Sequence, residues 1–234
     1  MERLQGKLAI VAGAGSYVGM AIVEKLTRAG VRVLGLDTEV KMLDDLAVSL
    51  AQSGGIFQYF ITDLSDEVNI TNAIDWAKTN IGPIHVLINN LRLRTTPSPI
   101  RWSKRSPAAV FSKDISGFNT ITRQVLRNMT ENGIDGHIIH ISALLGNGTS
   151  KNVFKYVKDC VDLLTECLRC DIRVSRSKIK VTNLCPGIPK PALESQCNSE
   201  LMSSLRCKDV VDAVGYILST PSHVQIRELS LSAI

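Results

Sequence analysis

The chain is expected to fold as an α/β protein, a doubly wound parallel sheet sandwiched between helices in three layers. Three observations predict it. Short, near-continuous apolar runs alternate with longer stretches of helical periodicity along all 234 residues. Strands that are apolar at every position are buried on both faces, which is the pattern of a parallel sheet covered by its crossover helices. The first apolar run also breaks at a glycine-rich turn that opens a helix. With no linker, repeat or low-complexity segment, residues 1–234 read as one domain.

The elements follow in order. Leu8–Ala12 is a strand, Val18–Ala29 a helix closed by Gly30, and Val31–Leu36 a strand ending at Asp37. Met42–Leu50 is helical, with Met42, Leu43, Leu46 and Leu50 on one stripe. A strand over Ile56–Thr62, a helix over Glu67–Thr79 and a strand over Ile84–Ile88 then lead into Asn89-Asn90. A long helix covers Ala108–Asn128, followed by the strand His137–Ile141 and a helix over Val153–Ile172. The strand Ile179–Leu184, a helix over Lys208–Leu218 and a last strand near Val224–Leu229 complete the chain.

Composition narrows the function classes. A chain of this length buries roughly 70% of its unfolded surface and needs no staple. The net charge of +5 is spread along the sequence, so nucleic-acid binding is not expected. No run of eighteen apolar residues exists, so no membrane span is expected. The N-terminus lacks the pattern of a secretory signal, and the expected location is the cytoplasm. Cys167 and Cys170 form a lone C-x-x-C inside a helical stretch with no ligand-spaced histidine, and His85, His137, His140 and His223 are scattered. No metal site is expected.

The residues that carry chemistry fall at the ends of the strands. Ala12-Gly-Ala-Gly-Ser-Tyr-Val-Gly19 links the first strand to the first helix, where backbone N–H groups and the helix dipole favour a phosphate. Asp37 closes the second strand about twenty residues on, placed to accept ribose hydroxyls. Thr62-Asp63-Leu64 follows the third strand and Asn89-Asn90 the fourth. With Gly136–Ser142 and Cys185-Pro186-Gly187-Ile188, this set resembles the motifs of the short-chain dehydrogenase/reductase family over essentially the whole chain. The C-terminal Leu218–Ile226 resembles its farnesol-dehydrogenase and steroid-reductase-like branch.

The resemblance implies a Rossmann-type fold and a dinucleotide held by Gly13, Gly15, Tyr17, Val18, Gly19, Asp37, Asp63, Leu64, Asn90, Lys158, Pro186, Gly187 and Ile188. It implies NAD(H) in preference to NADP(H), because the Asp37 carboxylate repels a 2′-phosphate. Two departures bear on that cleft. Tyr17 replaces the family's middle glycine, where a phenol crowds the pyrophosphate unless it turns outward, and Leu91-Arg92 replaces a small pair.

The family's hydride transfer uses a tyrosine phenol as proton donor and a lysine four residues on. A serine on the substrate oxygen and a supporting asparagine complete the set. At those positions stand Phe154, Lys158, Ala143 and Asp114, so only the lysine matches. Phe for Tyr keeps the ring and deletes the oxygen. A shifted register through Tyr156 puts Cys160 at the i+4 place, and Lys158 then projects about 200° away around the helix. Ser142 adjoins the serine position but points to the other face of its strand.

These departures imply a catalytically degenerate homologue, a pseudoenzyme that binds a nucleotide or a protein partner, and the family resemblance implies a dimer through its long helices. The alternative is an active NAD(P)-dependent oxidoreductase on an apolar alcohol or carbonyl of farnesol or steroid type, with Tyr156 as a rearranged donor. Arg92, Arg94, Arg101, Lys104 and Arg105 form a basic loop around Trp102, read as a solvated face before an anion-docking one.

Overall fold

The computed structural model describes residues 1–90, 107–142, 151–187 and 205–233, with side chains in the two longest helices from Ile115 and Lys158 onward. A short 3-10 turn, Glu2–Leu4, precedes the first strand. The strands are β1 Leu8–Ala12, β2 Arg32–Asp37, β3 Phe57–Ile61, β4 Ile84–Asn90, β5 His137–Ile141, β6 Lys180–Pro186 and β7 Glu228–Leu231. The helices are α1 Tyr17–Arg28, α2 Val40–Gln52, α3 Glu67–Asn80, α4 Pro107–Glu131, α5 Lys151–Val174 and α6 Cys207–Ser219.

The sheet runs β3-β2-β1-β4-β5-β6-β7 with every pair parallel. Strand order therefore reverses between β1 and β4, and in such sheets ligands sit at the carboxyl ends beside that reversal. Strand residues alternate between two apolar layers. Val11, Ile88, Ile139 and Leu184 face a core shared with α1, α2 and α6, and Ile10, Leu87, Ile138 and Val181 face one shared with α3, α4 and α5. The expected three-layer α/β sandwich is the observed fold.

Most elements fall within a few residues of their expected bounds. The last strand is the exception, because β7 begins at Glu228 and not near Val224. The intervening backbone has other partners. Lys180 Nζ donates to the Val224 carbonyl, Gln225 donates its amide to the Val181 carbonyl, and Thr182 donates its hydroxyl to the Ile226 carbonyl. Side chains of β6 thus hold this segment before ladder pairing starts.

Three helices are closed by glycine in the left-handed region, α2 among them through Gly54, φ 74°, with the Gly55 N–H donating to the Leu50 carbonyl. Gly30, φ 77°, follows α1, and Gly133, φ 62°, follows α4. In each case the next residue's N–H reaches back to a helix carbonyl, Val31 to Leu26 and Ile134 to Met129. That is the Schellman arrangement, which favours glycine because it has no Cβ to clash.

Candidate functional site

The glycine turn is built so that nothing but glycine fits at its contacts. Gly13 has φ 77°, and a Cβ there would lie 2.7 Å from the Asn90 carbonyl oxygen. A Cβ on Gly19 would lie 2.1 Å from the Gly13 carbonyl oxygen, and one on Gly15 would meet Glu39 at 2.8 Å. Ser16 caps α1: its Oγ accepts the Gly19 N–H at 3.0 Å and donates to the Gly13 carbonyl at 2.8 Å. Asn90 locks the turn to β4 by donating to Ser16 Oγ at 2.9 Å. Tyr17 and Val18 then open α1, where first-turn amides have no acceptor within the helix.

Asp37 is buried and holds the turn from the other side. Its Oδ2 accepts the Gly15 N–H at 2.9 Å and its Oδ1 the Thr38 N–H at 2.7 Å. The carboxylate thus fixes the glycine turn against the end of β2. Tyr17 is 60% exposed, so its phenol is largely open to solvent. Asp63 turns the chain after β3, its Oδ1 accepting from both the N–H and the hydroxyl of Ser65. Leu64 is pinned by a residue that sequence reasoning missed. A Cβ on Gly117 of α4 would lie 1.6 Å from the Leu64 carbonyl oxygen. A glycine in mid-helix was the available signal.

Lys158 faces β6 and β7. Its Nζ donates to Asp162 Oδ2 at 2.6 Å and lies 3.8 Å from Glu228 Oε1. The other Asp162 oxygen accepts from the Asn183 amide. Asn183 Oδ1 in turn accepts the Ser142 hydroxyl at 3.2 Å, and the buried Cys185 thiol lies 3.5 Å from that hydroxyl. Burial by itself lowers the Lys158 pKa. The Asp162 hydrogen bond and the charges of Cys185, Asp162 and Glu228 outweigh it, and the net direction is upward. Burial pushes the Cys185 thiol up. Sequence reasoning missed Asp162 and Asn183, although i,i+4 spacing from Lys158 made Asp162 findable.

Beneath this cluster a buried polar chain ties β4 and β5 to the long helices. Asn89 donates to the Phe118 carbonyl at 3.0 Å and to Thr122 Oγ1 at 3.1 Å. Thr122 Oγ1 lies 3.2 Å from His140 Nε2, and His140 Nδ1 lies 2.7 Å from Thr165 Oγ1. Thr165 donates its hydroxyl to the Val161 carbonyl at 2.6 Å. The Thr122 hydroxyl also donates to the Phe118 carbonyl at 2.8 Å. Burial, with Arg169 adding to it, pushes the His140 pKa down to about 3.

The structure brings Gly13, Gly15, Gly19, Asp37 and Asn90 together at the β1–β4 reversal and places Lys158 on the far side of β5. Pro186 ends β6, and the Gly187 N–H donates to the Leu231 carbonyl at 2.8 Å. Ala143, Ile188, Leu91-Arg92, the basic loop to Arg105 and Pro189–Ser204 lie outside the described residues, as do the side chains of Asp114, Phe154 and Tyr156. Cys167 and Cys170 are both exposed on α5. No helix among the described residues is long and apolar enough to cross a membrane.

A parallel sheet reversing at a glycine turn, with an acid at the end of β2, defines a class of nucleotide-type α/β folds. Residues 7–201 match the short chain dehydrogenase family, and the chain belongs to it. It is 30% identical to farnesol dehydrogenase of Aedes aegypti over 241 residues, covering 100% of this chain and 98% of that protein. It is 28% identical to dehydrogenase/reductase SDR family member 11 of Homo sapiens, covering 99% and 95%. Among solved structures, NAD+-bound xylitol dehydrogenase superposes with a TM-score of 0.84 at 19% identity, covering 99% of each chain. A metagenomic short-chain oxidoreductase in complex with NADP superposes at 0.79 with 22% identity, covering 99% and 98%. These superpositions bear on the fold.

Proposed function

We propose that this chain is a catalytically degenerate short-chain dehydrogenase/reductase homologue, a single domain over residues 1–234 that retains a dinucleotide cleft and has little or no dehydrogenase activity. One observation carries the reading. Asp114, Ala143 and Phe154 stand where the family has its asparagine, serine and tyrosine, and the remaining Lys158 is engaged by Asp162. Loss of a general acid costs ~10²–10⁴ in rate and loss of an oxyanion donor ~10²–10³.

The residues fit a nicotinamide dinucleotide. Gly13, Gly15 and Gly19 let the turn pack more closely against Asn90, Glu39 and its own backbone than any Cβ would allow, the start of α1 suits a pyrophosphate, and Tyr17 is exposed. Asp37, Asp63, Leu64 and Asn90 would hold the adenosine end, and Lys158, Pro186, Gly187 and Ile188 the nicotinamide end. Such a group, when bound, supplies a hydride donor or acceptor. The Asp37 carboxylate excludes a 2′-phosphate, which favours NAD(H). The titles of the similar structures, one with NAD+ and one with NADP, support a dinucleotide without choosing between them.

A homodimer through α4 and α5 accompanies this reading, supported by Leu163, exposed on α5, and by a groove of about 850 Å³ between α3, α4 and α5. A cytoplasmic location and a protein partner complete the proposal. Calorimetric titration with NADH tests the cleft: saturable binding is expected, and its absence contradicts a retained cleft.

The second reading is an active oxidoreductase on an apolar alcohol or carbonyl. It is favoured by the full-length similarity to a farnesol dehydrogenase. In that case the Tyr156 phenol would donate the proton, and Tyr156→Phe abolishes turnover.

A further inference from the structure

At the opposite edge of the sheet, away from the glycine turn, the ends of α5 and the entries to β6 and β7 enclose a groove of about 720 Å³. Its floor is Ile172 and Ile179, both buried. Two inward-facing cations are fully used in building its walls. Lys180 is only 6% exposed, and its Nζ donates to oxygens of Thr220, Pro221 and Val224 at 3.0–3.2 Å. Arg169 donates to the Val181 carbonyl at 3.1 Å and to the Arg227 carbonyl. The segment 220–227 is thereby riveted across from α5, which makes the groove a fixed feature of the fold.

A different set of cations faces the opening. Arg173, Arg176 and Lys178 line the groove, are exposed, and have no ion-pair partner among the described residues. His223 lines the facing wall, and Asp135 is the one carboxylate in the lining.

Arg176 carries the second, independent observation. It is the only non-glycine with positive φ among the described residues, at 54°. It sits in a Schellman cap: its N–H donates to the Arg173 carbonyl and the Ser177 N–H to the Ile172 carbonyl, each at 3.1 Å. The matching caps of α1 and α4 use Gly30 and Gly133 there. An arginine at this position is strained where a glycine is not. Such strain at a surface cap points to a use for the side chain.

We propose that this groove binds a small phosphate ester carrying two or more negative charges, clasped by Arg173, Arg176 and Lys178 with its non-phosphate portion over Ile172 and Ile179. Guanidinium groups match phosphate oxygens in paired hydrogen bonds. The groove falls within the ~300–1,000 Å³ of small-molecule sites, more room than a bare orthophosphate fills.

The test is a calorimetric titration of the full chain with inorganic tripolyphosphate in about 150 mM salt, where screening removes weak surface attraction. One saturable site is expected. Arg176→Gly should weaken binding roughly tenfold, the scale of one charged hydrogen bond, while raising Tm by a few degrees. Arg173→Ala/Lys178→Ala should weaken it further with Tm unchanged. No saturable binding to the wild-type chain overturns the proposal. Binding that is unchanged in both variants also overturns it, because the anion then sits elsewhere, for example on the glycine turn. Tight binding of a short RNA through these residues without tripolyphosphate binding overturns it in favour of a nucleic-acid surface.

Discussion

Lys158 Nζ sits 2.6 Å from Asp162 Oδ2, one helical turn away on α5, and Asn183 holds the second carboxylate oxygen. Lys158 is therefore ion-paired within its own helix. Both side chains are partly shielded, at 22% and 34% exposed, so the pair is stronger than a typical surface bridge.

Releasing that lysine is expected to strengthen dinucleotide binding. Asp162→Asn keeps the shape and removes the charge, so NADH affinity should rise about two- to fivefold, matching a pair worth ~0.5–1 kcal/mol. Calorimetry on the two proteins checks it. Equal affinities would mean that the pair does not compete with the cofactor.

Tyr17→Gly should change NADH affinity by less than about threefold, because a phenol largely open to solvent neither crowds nor supports the turn. The cost to stability is no more than ~1 kcal/mol, the helix penalty of glycine. A large gain in affinity would show that the ring folds over the cleft.

Gly117→Ala should destabilise the fold by about 1–3 kcal/mol, the usual penalty for overpacking. The added methyl group falls on the Leu64 carbonyl, and either α4 or the turn after β3 must move. Urea unfolding measures it. A neutral result would mean that the two elements are not in contact in solution.

Stability should fall as the pH drops from about 6.5 to about 3. His140 and His137 are both buried, and burial, the leading cause in each, depresses their folded pKa values to about 3. The unfolded chain then binds more protons throughout that window, so stability is complete above the unfolded histidine value of about 6.5 and declines below it. At pH 5 the loss is about 2 kcal/mol per histidine. His140→Gln should remove its share of the slope in urea midpoints measured from pH 7 to pH 4.5. An unchanged slope would mean that His140 is open to solvent.

The fold was largely legible because its signals are local. The apolar runs Leu8–Ala12 and Ile84–Ile88 have the length and composition of buried strands, and Gly30 marks the end of α1 through a cap that a sequence displays. The start of β7 was illegible because Lys180, Thr182 and Gln225 take the backbone of residues 224–226, a choice made by side chains more than forty positions apart. The site divides the same way. Gly13, Gly15 and Asp37 meet because motif spacing reflects topology. The chain from Asn89 through Thr122 and His140 to Thr165 joins four elements by residues whose types, taken singly, signal nothing.

On the proposed reading, the fold outlived the reaction. Steady-state absorbance at 340 nm, with NAD(H) and a panel of farnesol-like, retinoid and steroid alcohols and carbonyls, tests it most directly. The prediction is no turnover above the rate without protein. Robust turnover that disappears in Tyr156→Phe would contradict it and establish an active oxidoreductase with a relocated proton donor.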